Sequence, residues 1–414
     1  MTSTLSGVDR PPAGLAALLK AVSAQRMQAT VHELAGDRYA GRRVGTPGGR
    51  AAATWLADRL GELGAGTELS GFDVANVREL YGTPVLEWNT GGQAHRLKHR
   101  RDFAEHLASA DLPHPRCAPL AAASDADLRG RWVLAEAGDW ARACERAEAD
   151  GAAGMLTTRG TDAEGWMPKM IAGPPSRQVP VIAVRTEVQA RLADALTRGP
   201  VQVTGSMPLR QITTRGQNVH ARFPAEGDTG RARVLLTAHY DGVGDDPDTR
   251  LPAAADNASG VAAVLEAARV LSADPTIRSG LEVAFLDAEE AGAWGSAHHA
   301  PALPSDTLVI NLDGAAHLHE AASVEAGGPA LALLATLDQA ARLTGVPLRA
   351  GAMASDNRRY AAAGLAAIGI GMGMPGYQTP AETPERVQAD TLLAAARLLV
   401  ATAWLTTSAM HGAE

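Results

Sequence analysis

Three apolar runs in this chain end in side chains of metal-binding type: Val234-Leu-Leu-Thr-Ala before His239, Leu281 to Ala288 before Glu289 and Glu290, and Leu308-Val-Ile-Asn-Leu before Asp313. Strand-length runs that alternate with helical patterns predict a parallel sheet with helices on both faces. In such an open sheet, functional groups collect just beyond the carboxyl ends of the strands. A fourth acid, Asp256, stands in Ala-Asp-Asn-Ala-Ser-Gly at the head of a helix pattern from Val261 to Leu271. One site is therefore expected to receive a histidine and several carboxylates from four separate elements, which is how a pair of metal ions is assembled.

Composition bounds the reading. At 414 residues the chain can bury a full core and has room for two domains. A net charge of −8 offers no footprint for nucleic acid or an acidic membrane. Cys117 and Cys144 are too few for a zinc cage or a disulfide framework, and both are expected to be buried thiols. The amino terminus has Arg10-Pro-Pro and then a short helical stretch, Gly14 to Ser23; it lacks the features of a signal peptide, so a cytoplasmic protein is the expectation. No run is read as reaching the roughly 20 apolar residues of a membrane span.

Three regions follow along the chain. Residues 1–74 are helical in pattern and expected to pack on something larger, with a Gly-rich turn at Gly41 to Gly49 and an amphipathic helix from Arg50 to Leu63 closed by Gly64. Residues 75–211 change to short β-type runs (Trp132-Val-Leu, Met155-Leu-Thr, Val179 to Val184) between Pro/Gly turns, with one helix near Asp139 to Ala149, which suggests an inserted module. Residues 212–414 carry the strand and helix alternation. The expected fold is α/β, a mostly parallel mixed sheet sandwiched by helices, with a small β-rich insert.

The chemistry can be read residue by residue. A ligating imidazole commonly gives its second N–H to a carboxylate, and Asp241, two positions past His239, is placed to orient that ring. Asp256 could bridge two cations with its two oxygens. Glu289 and Glu290 end an apolar run rather than lie in a charged face; adjacent side chains of an extended segment point to opposite sides, so one could bind metal while the other handles protons. Asp313 would be the opposite terminal ligand. Two cations joined by a carboxylate polarise a scissile carbonyl and lower the pKa of water, while a glutamate takes the proton.

The order His239-x-Asp241, Asp256-Asn-x-Ser-Gly, Glu289-Glu290, Asn-Leu-Asp313 resembles the two-zinc aminopeptidase family, relatives of glutamate carboxypeptidases and glutaminyl cyclases. The likeness covers most of residues 217–395, and Gly-Arg-x-x-Gly-Thr at Gly41 to Thr46 resembles the start of the same domain. Residues 75–211 resemble a protease-associated domain. The resemblance implies that His239 and Asp313 hold one metal, Asp256 bridges, Glu290 holds the second metal, Glu289 is the general base, and Tyr377 supports the tetrahedral intermediate.

The chain departs from the family pattern at Gln378, where a histidine usually completes the second metal site, at Glu382 in place of an aspartate, and at Asn357 where many members have histidine. An all-oxygen second site of Asp256, Glu290 and Gln378 suits zinc less well than a harder cation. It is expected to be weak, empty or filled by another divalent ion beside one tightly bound zinc, unless His298, His299, His317 or His319 supplies a substitute. The leading expectation is a metal-dependent exopeptidase, an aminopeptidase acting on peptides with a free amino terminus. The alternatives are an acyl-transfer or cyclising enzyme of the same fold and a catalytically silent peptide-binding protein.

Overall fold

The computed structural model describes residues 11–136, 138–224 and 233–411. Its main sheet has eight strands in the order Gly66–Leu80, Leu209–Arg222, Leu281–Leu286, Val234–His239, Leu308–Leu312, Ala366–Gly371, Ala322–Gly327 and Leu348–Ala350. The central four run parallel, the two long strands at one edge pair antiparallel with each other, and the inner of them, Leu209–Arg222, pairs antiparallel with Leu281–Leu286. The result is the mixed α/β sheet that the alternation predicts.

Every residue of Val234–His239 and of Leu281–Leu286 is buried, because helices cover both faces of a parallel sheet. Alternation then assigns neighbours to opposite layers. Leu236, Ala238, Val283, Phe285 and Ile310 pack with the helices Ala24–Leu34, Ser259–Leu271 and Ala389–His411, while Leu235, Ala284, Leu286 and Val309 pack with Tyr360 and Leu365 on the other side.

Strand register builds the site. Thr237 pairs with Asn311 and His239 with Leu286. Two residues beyond the first of these pairs, His239 and Asp313 therefore arrive level at adjacent strand ends. The second run departs from expectation, since its strand stops at Leu286 and a turn with Ala288 at φ 62° carries Glu289 and Glu290.

A second eight-stranded sheet is built from strands between Leu86 and Met207, with helices Trp140–Asp150 and Thr186–Arg198 against it. The flanking strands Gly66–Leu80 and Leu209–Arg222 belong to the main sheet. Helix Pro47–Glu62 starts earlier than the periodicity indicates, because Thr46 caps it by accepting from the Gly49 N–H at 3.1 Å and Pro47 fits its first turn.

Two expectations are corrected here. Cys144 is buried, but Cys117 is exposed: on its strand Ala118 and Leu120 turn inward, which leaves the thiol on the outer face. Helix Ala389–His411 contains a stretch, Ala389–Ser408, that is long and apolar enough to cross a membrane by length and composition. Of that window 67 % is buried, and Leu392, Leu398 and Leu399 lie in the main core, so its apolarity is used in packing. The helix expected from Gly14 is Ala13–Ala21, while Arg10 lies outside the described residues.

Candidate metal centre

Donor atoms of His239, Asp256 and Asp313 lie within 4.8 Å of one another, and all three residues are buried. His239 Nε2 is 3.1 Å from Asp256 Oδ1 and 3.2 Å from Asp313 Oδ1. On the other side of the ring, Nδ1 faces the Asp241 backbone oxygen at 3.2 Å and its carboxylate at 3.5 Å. Asp241 also accepts the backbone N–H groups of Glu289 at 3.0 Å and Glu290 at 3.2 Å. One buried carboxylate thus fixes both the imidazole and the turn that bears the glutamates.

Asp256 reaches this cluster from a loop packed by polar side chains. Asn257 Oδ1 accepts from the Gly260 N–H at 2.9 Å and the Gly314 N–H at 3.0 Å, tying the head of the Asp256 helix to the residue after Asp313. Arg42 explains the Gly-Arg motif. Fully buried, it donates to the carbonyls of Leu34, Tyr240, Pro252 and Ala253 at 2.6–3.1 Å, and so clamps the segments that follow His239 and precede Asp256. Gly41 approaches this loop so closely, at φ +69°, that an added Cβ would lie 2.8 Å from Gly244.

Gln378 joins Glu290 at the second position. Its Nε2 donates to Glu290 Oε2 at 2.5 Å, while Glu290 Oε1 and Gln378 Oε1 are buried with no hydrogen-bond partner. Two orphaned oxygens next to Asp256 and its partners are the donor set a hard cation would satisfy. Glu382, which replaces an aspartate, accepts from the Asp256 N–H at 2.6 Å with one oxygen and from the Gln378 N–H at 2.7 Å with the other. Burial and then Asp256 push its pKa up to about 8.

Charge is concentrated throughout. Burial opposes a charge on His239, but Asp313, Asp241 and Asp256 outweigh it and hold its pKa well above the usual histidine value. Burial followed by the neighbouring acids raises Glu290 and Glu289 well above the carboxylate range. Asp356 is pushed up to about 7 by burial; it accepts from Ser296 and has a second oxygen without a partner. Burial and mutual repulsion thus disfavour ionisation of Asp256, Glu289 and Glu290, which is the electrostatic condition for holding cations.

Rather than parting to opposite sides of a strand, Glu289 and Glu290 both line a cavity of about 420 Å³, together with Gln378 and Tyr377. Tyr377 is 41 % exposed. The possible substitute ligands do not enter the cluster. His298 and His299 line a separate cavity of about 200 Å³, and His317 packs in a tilted arrangement against His319 with centroids 3.9 Å apart. Asn357 is buried with its Oδ1 unpartnered and packs against Gly369.

Sequence reasoning missed the connection to the second sheet. The Lys169 backbone N–H donates to the Gln378 carbonyl at 2.9 Å, and Lys169 Nζ binds the carbonyls of Gly244 and Asp245 and lies 3.2 Å from Asp246. Arg100 donates to both oxygens of Asp246 at 2.7 and 2.9 Å and to Glu105 at 2.9 Å, all buried. The loop after His239 and the loop of Gln378 are therefore held from the same module.

Comparison with known proteins bears on this geometry. Residues 218–403 match the model of Peptidase family M28. This segment, less than half of the chain, is similar to that family. The chain is 28 % identical over 309 residues to the probable lipoprotein aminopeptidase LpqL of Mycobacterium tuberculosis, covering 70 % of this chain and 58 % of that protein. It is 30 % identical over 186 residues to the aminopeptidase YwaD of Bacillus subtilis, covering 44 % of this chain and 38 % of that one. The chain thus spans less than two thirds of either relative. A solved zinc aminopeptidase of Bacillus subtilis, BSAP, shares the fold at a TM-score of 0.70 and 22 % identity, over 92 % of this chain and 94 % of that one.

Proposed function

We propose that this protein is a metal-dependent aminopeptidase that hydrolyses the first peptide bond of substrates with a free amino terminus. The observation that carries the reading is the convergence of the buried His239, Asp256 and Asp313, together with the orphaned oxygens of Glu290 and Gln378, two residues that line a cavity with Glu289. His239, Asp256 and Asp313 would hold a zinc ion, and Asp256, Glu290 and Gln378 a second, harder or more weakly bound cation. When bound, such cations supply Lewis acidity that polarises the scissile carbonyl and acidifies water.

The chain's own groups do the rest. Glu289 accepts a proton from the attacking water and returns it to the leaving amine, a role favoured by its raised pKa. Asp241 keeps Glu289 in place through its backbone and orients His239. Tyr377 at the cavity wall can donate to the developing oxyanion. The negative field of Glu289 and Glu290 attracts a substrate ammonium. The segment between strands Gly154–Thr158 and Val181–Val184 of the second sheet, read as a protease-associated-like insert, brings Met170 and Ala172 to the wall of the same cavity.

Metal analysis of protein purified without added metal, beside hydrolysis of paired free and amino-acetylated peptides, tests this proposal. Bound zinc and cleavage of the free peptides alone are expected. Equal cleavage of both forms would point to an endopeptidase or amidase, and binding without cleavage to a silent peptide-binding protein.

A further inference from the structure

Resting on the aminopeptidase reading, we propose that Arg358 and Arg359 bind a carboxylate of the substrate, so that the preferred peptides carry an acid within reach of the scissile bond. The catalytic cavity is not lined by acids alone: with Glu289, Glu290 and Gln378 it includes both arginines, on the short helix Asn357–Ala362. Arg358 is paired with Glu325, to which its Nε and Nη2 both donate at 3.1 Å. It shares that carboxylate with the Met353 N–H, which also donates to it.

Arg359 has no acidic partner within ion-pair distance among the described residues. Its Nη2 donates to the Gly292 carbonyl at 2.8 Å, two residues past Glu290, and this single bond holds the guanidinium beside the turn that bears the catalytic acids. A planar guanidinium with further N–H donors to offer matches a carboxylate in a two-bond fork.

The cavity therefore has opposite charges on its walls. Glutamates favour the amino group of a substrate, and the Arg359 guanidinium, beside the Arg358–Glu325 pair and without an acid of its own among the described residues, favours an acid. A volume of about 420 Å³ accommodates a short peptide rather than one side chain. Two sources could supply the acid: the side chain of an acidic amino-terminal residue, or the α-carboxylate of a dipeptide.

The test compares kcat/KM of the zinc-loaded protein within two isosteric pairs. Glu-Leu-amide against Gln-Leu-amide reports the side-chain source, and Leu-Leu against Leu-Leu-amide the α-carboxylate. At least one pair should favour the acid by about tenfold, the scale of one charge-assisted hydrogen bond. That ratio should fall towards one in Arg359→Ala and further in the Arg358→Ala/Arg359→Ala double variant, with partial recovery in Arg359→Lys. Equal rates within both pairs, or a ratio that survives the double variant, would overturn the proposal. Calorimetric binding of the same four peptides to Glu289→Gln protein keeps the two readings apart. Acid preference in binding with no hydrolysis by the unmodified protein would sink the aminopeptidase reading and leave the carboxylate site standing, whereas indiscriminate or absent binding would sink the site.

Discussion

Replacing Asp246 by Asn tests whether the second sheet holds the metal centre together. Asp246 is buried, takes two bonds from Arg100 at 2.7 and 2.9 Å, and faces Lys169 Nζ at 3.2 Å. Asparagine keeps the volume and one acceptor but removes the charge. Arg100 would retain Glu105, and Lys169 would retain only the carbonyls of Gly244 and Asp245. Removing one partner of a buried ion pair costs about 3–5 kcal/mol, and the surviving Glu105 places this case near 3 kcal/mol. Because the Lys169 N–H holds the Gln378 carbonyl, the damage should reach the second metal position.

Two measurements check the argument: urea unfolding followed by intrinsic fluorescence, and metal content after dialysis. The variant should unfold at lower urea and lose metal from the second position while keeping most of the first. Burial would raise the pKa of Asp246 and of Glu105, but Arg100 and its neighbours outweigh it and hold both below the usual carboxylate range. A depressed pKa contributes stability that is present above the unfolded value and lost as pH falls through the folded one. The gap between Asp246→Asn and the unmodified protein should therefore shrink below about pH 4. A stability loss under about 1 kcal/mol, the worth of an exposed pair, together with unchanged metal content would refute the role assigned to this network.

Glu289→Gln removes the proton acceptor and keeps the shape, so turnover should drop by about 10²-fold or more with metal content nearly unchanged; near-normal turnover would remove Glu289 from the role of base. Dialysis of the unmodified protein against a mild chelator should leave about one equivalent of zinc, and Gln378→His should recover a second, because an imidazole nitrogen suits zinc better than an amide oxygen. Two zinc ions of equal affinity in the unmodified protein would count against this. Arg42→Lys keeps the charge but cannot serve four carbonyls spread around a planar fork, and should cost about 2–4 kcal/mol in urea unfolding. A variant as stable as the unmodified protein would show that the clamp is dispensable.

What could be read from the sequence and what could not divide along a physical line. The strands before His239 and Asp313 were legible because an apolar run ending in a ligand is a local pattern, and parallel register then brings those ends level without further information. Arg100 and Asp246 lie 146 positions apart, and nothing local marks either as half of a buried pair. Glu382 was visible only as a departure from a pattern. Its function, joining the Asp256 and Gln378 backbones with one carboxylate, exists only once the two loops have met. The carboxyl-terminal helix escaped notice as an apolar span because Ala and Thr dilute it, and Cys117 was misplaced because a thiol's burial depends on which face of the strand it takes.

The same network decides how Gln378 can act. The Glu290 carboxylate beside its side chain requires a donor, so the amide must present Nε2 there, and Oε1 becomes the free atom. Its backbone N–H is taken by Glu382 and its carbonyl by Lys169, which leaves the residue little freedom to turn away. A histidine at this position that kept the bond to Glu290 would likewise have one nitrogen left, so exchange of imidazole for amide changes the donor atom while the surrounding loop can stay as it is. On the proposed function, the exchange would therefore bear on metal preference rather than on the fold. A second site weak for zinc can then coexist with an otherwise complete set of buried acids.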